Sequence, residues 1–62
     1  MNGLKKIMEV NDRSASWLSR KVGVSPTSVI NWMEGIHHPK IKYRKKIARI
    51  FKVTEMFIFG EE

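Results

Sequence analysis

Cysteine is absent from this 62-residue chain, so neither a disulfide framework nor a thiolate zinc site can hold it together. Long apolar runs are missing too. None approaches the ~20 residues of a membrane span, and Met1 to Val10 lacks the apolar centre of a signal peptide. Glycine is sparse and forms no phosphate-cradling loop, and no carboxylate pair stands near a histidine, so the residue sets of an enzyme are not assembled. Acidic residues are absent between Lys40 and Lys52, although that block carries Lys40, Lys42, Arg44, Lys45, Lys46, Arg49 and Lys52. These absences predict a soluble, cytoplasmic protein with no cofactor and no small-molecule ligand.

What is present is a net charge of +6 and a hydrophobic content of 42%, enough for one small core and too much for a disordered chain. A single domain over residues 1–62 follows, near the lower limit for a core without covalent help. That length leaves no room for a separate sensing domain, so control is expected through abundance or choice of partner. The basic block suits a polyanion such as nucleic acid. Taken alone it reads equally well as the solvated face of a helix.

Apolar spacing divides the chain into five helices, with no strand signal of comparable length. The first is predicted over Asn2 to Val10, with Leu4, Ile7 and Met8 inward. Asn11-Asp12-Arg13 breaks it, and Ser14 is placed to cap a second helix whose apolar stripe is Ala15, Leu18 and Val22. Gly23 ends that helix, because the residue after a helix often takes positive φ. Ser25 can cap the third helix and Pro26 opens it, at the position where a missing N–H costs nothing. On the third helix Val29, Trp32 and Met33 should face inward, leaving Thr27, Ile30, Asn31 and Glu34 outside. After the turn Ile36-His37-His38-Pro39, a fourth helix runs from about Ile41 to Phe51. Ile47, Ile50 and Phe51 face inward on it, joined by Tyr43. Thr54 can cap a last short helix holding Met56 to Phe59.

The stretch Leu18, Ser19, Val22, Gly23, Val24, Ser25, Val29, Trp32 and Gly35 resembles the helix-turn-helix of the Cro and phage-repressor (XRE-like) family. Only Ser19 departs from the pattern, in place of alanine. The resemblance continues through Pro39 and the Ile47-Ala48, Phe51, Val53-Thr54 segment. It implies an all-α, compact five-helix lambda-repressor-like DNA-binding domain, with the motif formed by helices 2 and 3. In many members an Arg on helix 1 pairs with a Glu near the end of helix 3. Met8 and Met33 stand at those places here, and we expect them to touch, since a buried ion pair can be exchanged for apolar packing when both partners change. Ala15 replaces a Gln that commonly contacts phosphate in the family. That role then falls to Ser14 and the backbone amides beside it.

On this reading helix 3 enters the major groove of an operator. Base contacts are expected from Thr27 and Asn31, with Ser28, Ile30 and Pro26 beside them. Asn can pair with adenine by two hydrogen bonds, and the apolar groups can pack on thymine methyls. Phosphate contacts are expected from Ser14 on one side and from His37, His38, Lys40, Lys42 and Arg44 on the other. The two histidines lack the cysteine or carboxylate neighbours of a metal site, so none is assigned.

Three consecutive large apolar residues, Phe57, Ile58 and Phe59, cannot all face one small core. They make a candidate partner surface, and Trp17, off the stripe of helix 2, is either a flank packed on a neighbouring helix or an exposed apolar patch that joins it. The resemblance implies a homodimer bound to two-fold-related half-sites of double-stranded DNA, in the nucleoid of a bacterial or phage-infected cell. A sequence-specific transcriptional regulator is therefore the leading expectation. Three other readings compete with it: a protein-binding module, an antitoxin or mobile-element regulator on the same fold, and a membrane-active basic peptide. The last fits poorly, since the charges are split among several short capped helices.

Overall fold

Serine and threonine hydroxyls set the starts of three of the five helices. In the computed structural model, which describes residues 3–60, Ser14 accepts from the Trp17 amide, Ser25 from that of Ser28 and Thr54 from that of Phe57. Each has the extended backbone of an N-cap and satisfies one of the amides a helix start leaves without partner. The resulting order is α1 (Leu4–Val10), α2 (Ala15–Val22), α3 (Pro26–Met33), α4 (Ile41–Phe51) and α5 (Glu55–Phe59). Among the described residues there is no strand. The expected first residue of helix 1, Asn2, lies outside the described residues, and Gly3 is the N-cap.

Helix ends are closed by left-handed backbone. Gly23, at φ 92°, returns its amide to the Ser19 carbonyl, as sequence reasoning expected. Lys52 does the same for α4 at φ 58°, with the Val53 amide reaching the Ala48 carbonyl. A lysine there carries roughly 1–2 kcal/mol of strain that glycine would not. Asp12, at φ 55°, turns the chain from α1 into α2.

One core forms where the five helices meet, from Leu4, Ile7, Met8, Leu18, Val22, Val29, Trp32, Ile47, Ala48 and Ile58. Around it the described residues fill 26 × 22 × 20 Å. Ser19 is also buried, and its hydroxyl donates to the Ser16 carbonyl at 2.8 Å. The departure from alanine is thereby tolerated, because the buried O–H has an acceptor within its own helix.

Three contacts between distant parts of the chain lock the helices together. Lys46, on α4, donates from Nζ to the Val22 carbonyl at 3.3 Å, closing the open end of α2. Trp32 and Tyr43 pack with ring centroids 5.7 Å apart and join α3 to α4. The Gly3 amide donates to the Ile58 carbonyl at 2.8 Å, an approach so close that a Cβ on residue 3 would meet that oxygen at 3.0 Å.

Met8 is enclosed in the core, whereas Met33 is only partly covered by it. An opposite-charge link between α1 and the end of α3 nevertheless exists at the surface. Lys5 Nζ lies 3.8 Å from Glu34 Oε2, with both side chains about half exposed. At such exposure the pair is worth at most about 1 kcal/mol.

The partner surface expected at the C-terminus is corrected in part. Ile58 is 2% exposed and belongs to the core, and Phe59 packs partly against it. Phe57, at 70% exposure, and the neighbouring Met56 are the residues left outside. A five-residue helix can bury one narrow stripe, and the link to Gly3 turns that stripe to Ile58. Of the two placements open to Trp17, the flank packed on a neighbouring helix is the one found. Its ring lies 6.0 Å from that of Phe51, and the Arg13 guanidinium covers it at 4.4 Å.

Candidate nucleic-acid interface

The outward side of α3 is held rigidly from behind by Val29 and Trp32, both buried. Thr27 and Pro26 are exposed, Ile30 is 47% exposed and Asn31 is half-buried at the edge. At about 100° per residue Thr27, Ile30 and Asn31 share one face. The expected base-contact residues therefore lie together, with the exception of Ser28. Ser28 is half-buried, and its hydroxyl stands 3.2 Å from that of Ser25 at the helix cap. Its hydrogen-bonding capacity is thus already shared with the cap.

The turn after α3 depends on Gly35, at φ 77°. Amides of Ile36 and His37 fold back to the Asn31 carbonyl at 2.9 and 3.4 Å. His37 and His38 follow in this turn and are exposed. Glu34, whose charge would repel a phosphate, is held toward α1 by Lys5.

In chain order two helix starts bracket α3, that of α2 before it and that of α4 after it. At α2 the Ser14 oxygen accepts from the Trp17 amide at 3.1 Å, which leaves its O–H able to donate outward. At α4 the N-cap is Lys40, with no side-chain cap and no acidic residue in the first turn. Lysine is a poor choice at the positive end of a helix dipole, and it leaves first-turn amides without a protein acceptor. Lys42 is next along, its Nζ 5.0 Å from the Tyr43 ring centre. The start of α4 therefore gathers two ammonium groups and open N–H donors, a combination suited to an anion.

Arg44 departs from the expected phosphate set. It is half-buried, with Nε enclosed, and lines a cleft with Glu55, Met56, Phe59 and Gly60 at the α4–α5 junction. Its place on α4 turns it toward α5, away from the group formed by Lys40 and Lys42. Sequence reasoning also left Lys46 as a solvated residue, whereas it caps α2. No local signal marks that role, because the two partners are 24 residues apart.

Two capped helices meeting at a left-handed glycine, with the second displaying small polar side chains, define a helix-turn-helix domain. The chain belongs to the helix-turn-helix family, of the XRE type: the family model matches residues 4–58. It is similar to two HTH-type transcriptional regulators of Archaeoglobus fulgidus, both named as uncharacterized. One is 38% identical over 47 residues, which is 73% of this chain and 66% of the relative. The other is 34% identical over 47 residues, 73% of this chain and 67% of that relative. The first match thus spans slightly less than two thirds of its relative's length.

Proposed function

We propose that this protein is a sequence-specific, DNA-binding transcriptional regulator that places α3 in the major groove. The observation that carries the reading is the outward face of α3. Thr27, Ile30 and Asn31 project from a helix whose other side is committed to the core, and in chain order the helix starts before and after it, at Ser14 and Lys40, offer donors suited to phosphate. Asn31 and Thr27 read base edges, and Ile30 packs on thymine methyls. Ser14, Lys40, Lys42, His37 and His38 hold phosphates, which set register without reading sequence. A duplex phosphate at the start of α4 would supply the acceptor that Lys40 does not. The names of the two archaeal relatives, as transcriptional regulators, agree with this role.

The same reading extends to a homodimer on half-sites about one helical turn apart. Supporting it is an apolar surface where α1 meets α5. Val10, Met56 and Phe57 are exposed, and a cleft of about 300 Å³ is lined by Gly3, Lys6, Ile7, Val10 and Phe57. For a chain this small, such a patch is better covered by a second copy than left to water.

The test is a fluorescence-anisotropy titration against DNA flanking the protein's own gene and against scrambled DNA of equal length, at two salt concentrations. Binding about a thousandfold tighter to the first, with both affinities falling steeply in salt, is the expected result. Selection from a random duplex pool replaces the flanking DNA if that site is not the operator. Failure of the pool to enrich any sequence overturns the reading.

A further inference from the structure

A second cationic feature lies apart from the face of α3. Between α2 and the C-terminal end of α4 is a groove of about 410 Å³, walled by Arg13, Trp17, Lys21, Ile50, Phe51 and Lys52, with Asn11 at its rim. Its charge is of one sign: three cations line it and no carboxylate does. The arrangement is organised around Trp17. The Arg13 guanidinium lies 4.4 Å above the ring, Lys21 Nζ is 5.7 Å from the ring centre, and Phe51 supports the ring from α4. A guanidinium packed against an aromatic ring can still donate from its edge N–H groups, the geometry that takes a carboxylate or phosphate by two parallel bonds.

Lys52 strengthens the case. It occupies the left-handed closing position of α4, where glycine would be free of strain, and it lines the groove. Lys52 also stands at the far end of an 11-residue helix from Lys40, about 18 Å along its axis, so the groove is not a continuation of the start of α4.

We propose that this groove binds an acidic peptide segment of a partner protein, one that carries a large apolar side chain between its carboxylates. Both halves of the groove decide the class. The three cations call for anions, and the Trp17, Ile50 and Phe51 wall calls for an apolar group that enters between them. A duplex offers a convex ridge of phosphates, which satisfies the cations and leaves the apolar wall unused. Stacking of a loose base is also disfavoured, because Arg13 already covers a face of Trp17. The site would let the protein engage a partner while α3 is on DNA, and it does not depend on the DNA reading being correct.

The experiment uses the full chain labelled with nitrogen-15. It has two indole N–H signals, one from Trp17 and one from the buried Trp32. The probe is the peptide acetyl-Asp-Glu-Asp-Leu-Phe-Glu-Asp-amide. Saturable movement of the Trp17 indole and of the Arg13, Lys21 and Lys52 amides, with the Trp32 indole still, is the expected result. Lys52→Gly should weaken the peptide about fivefold, the effect of losing one exposed ion pair. Because that change relaxes the backbone, lost binding cannot be assigned to unfolding. Arg13→Gln should weaken it by at least about tenfold, as loss of a charge-assisted bidentate contact. The proposal is overturned if the peptide moves none of these signals, or if replacing Leu-Phe by Gly-Ser leaves affinity unchanged. It is overturned equally if a random 20-base-pair duplex shifts the same residues and displaces the peptide, which would make the groove a DNA track.

Discussion

Lys40→Ser should strengthen the fold and weaken DNA binding in the same molecule. The geometry needed is already in place. Lys40 has φ −63° and ψ 158°, and the three hydroxyl caps have φ between −92° and −76° with ψ from 154° to 162°. The Tyr43 amide donates to the Lys40 carbonyl at 2.9 Å, just as the Ser28 and Phe57 amides donate to the carbonyls of their own cap residues. A serine hydroxyl at position 40 would meet the Tyr43 amide in the same way. Gaining a cap is worth about 1 kcal/mol, and removing a cation from the positive end of the dipole adds about 0.3–1 kcal/mol. For a domain this small, each kcal/mol raises Tm by about 4–8 °C. On DNA the variant loses one phosphate contact, so the slope of log affinity against log salt should flatten by about 0.9, equally on specific and random duplexes. Thermal unfolding by circular dichroism and anisotropy titrations across salt measure the two effects separately. An unchanged or lowered Tm would refute the claim that α4 starts uncapped. A raised Tm with an unchanged salt slope would remove Lys40 from the phosphate contacts.

Four further outcomes follow from named contacts. Asn31→Ala should cost about 1–3 kcal/mol on the operator and little on random DNA; equal losses on both would show that Asn31 reads no base. Met8→Ala should destabilise the fold by about 2–5 kcal/mol, as a fully buried side chain does, and denaturant unfolding with less than about 1 kcal/mol of loss would contradict its enclosure. Ser19→Ala should be neutral or stabilising by up to about 1 kcal/mol, because alanine favours helix and the lost hydroxyl served only the Ser16 carbonyl; a marked fall in Tm would mean the hydroxyl has another task. On the dimer proposed above, Phe57→Glu should leave Tm nearly unchanged while reducing the mass seen by sedimentation-equilibrium ultracentrifugation from two copies to one, and an undiminished mass would move the self-contact elsewhere.

Much of the fold could be read from residues acting on near neighbours. Ser14, Ser25 and Thr54 begin helices, Gly23 and Gly35 turn the chain, and the boundaries of α3 and α4 follow from Pro26, Pro39 and the apolar spacing. The outward face of α3 was legible for the same reason: once Val29 and Trp32 are inward, helical geometry sends Thr27, Ile30 and Asn31 out. What was not legible depends on contacts between distant residues. The phase of α5 is set by the Ile58 carbonyl accepting from Gly3, and nothing within Phe57-Ile58-Phe59 announces which ring is left outside. Lys46 and Arg44 look interchangeable with their neighbours in a basic run, yet one closes α2 and the other turns under α5. Lys52 hides a left-handed turn because glycine, the usual sign of one, is absent.

The hydrogen bond between Gly3 and Ile58 also makes this domain nearly a ring. Its first and last helices are neighbours, so a short bridge from residue 60 back to residue 3 would close the backbone with little loop entropy to overcome. New ends opened at the exposed His37-His38 turn would then leave every helix whole. In such a rearranged chain α4 would be made first and α3 last, so the helix proposed to read DNA would be the final one to leave the ribosome.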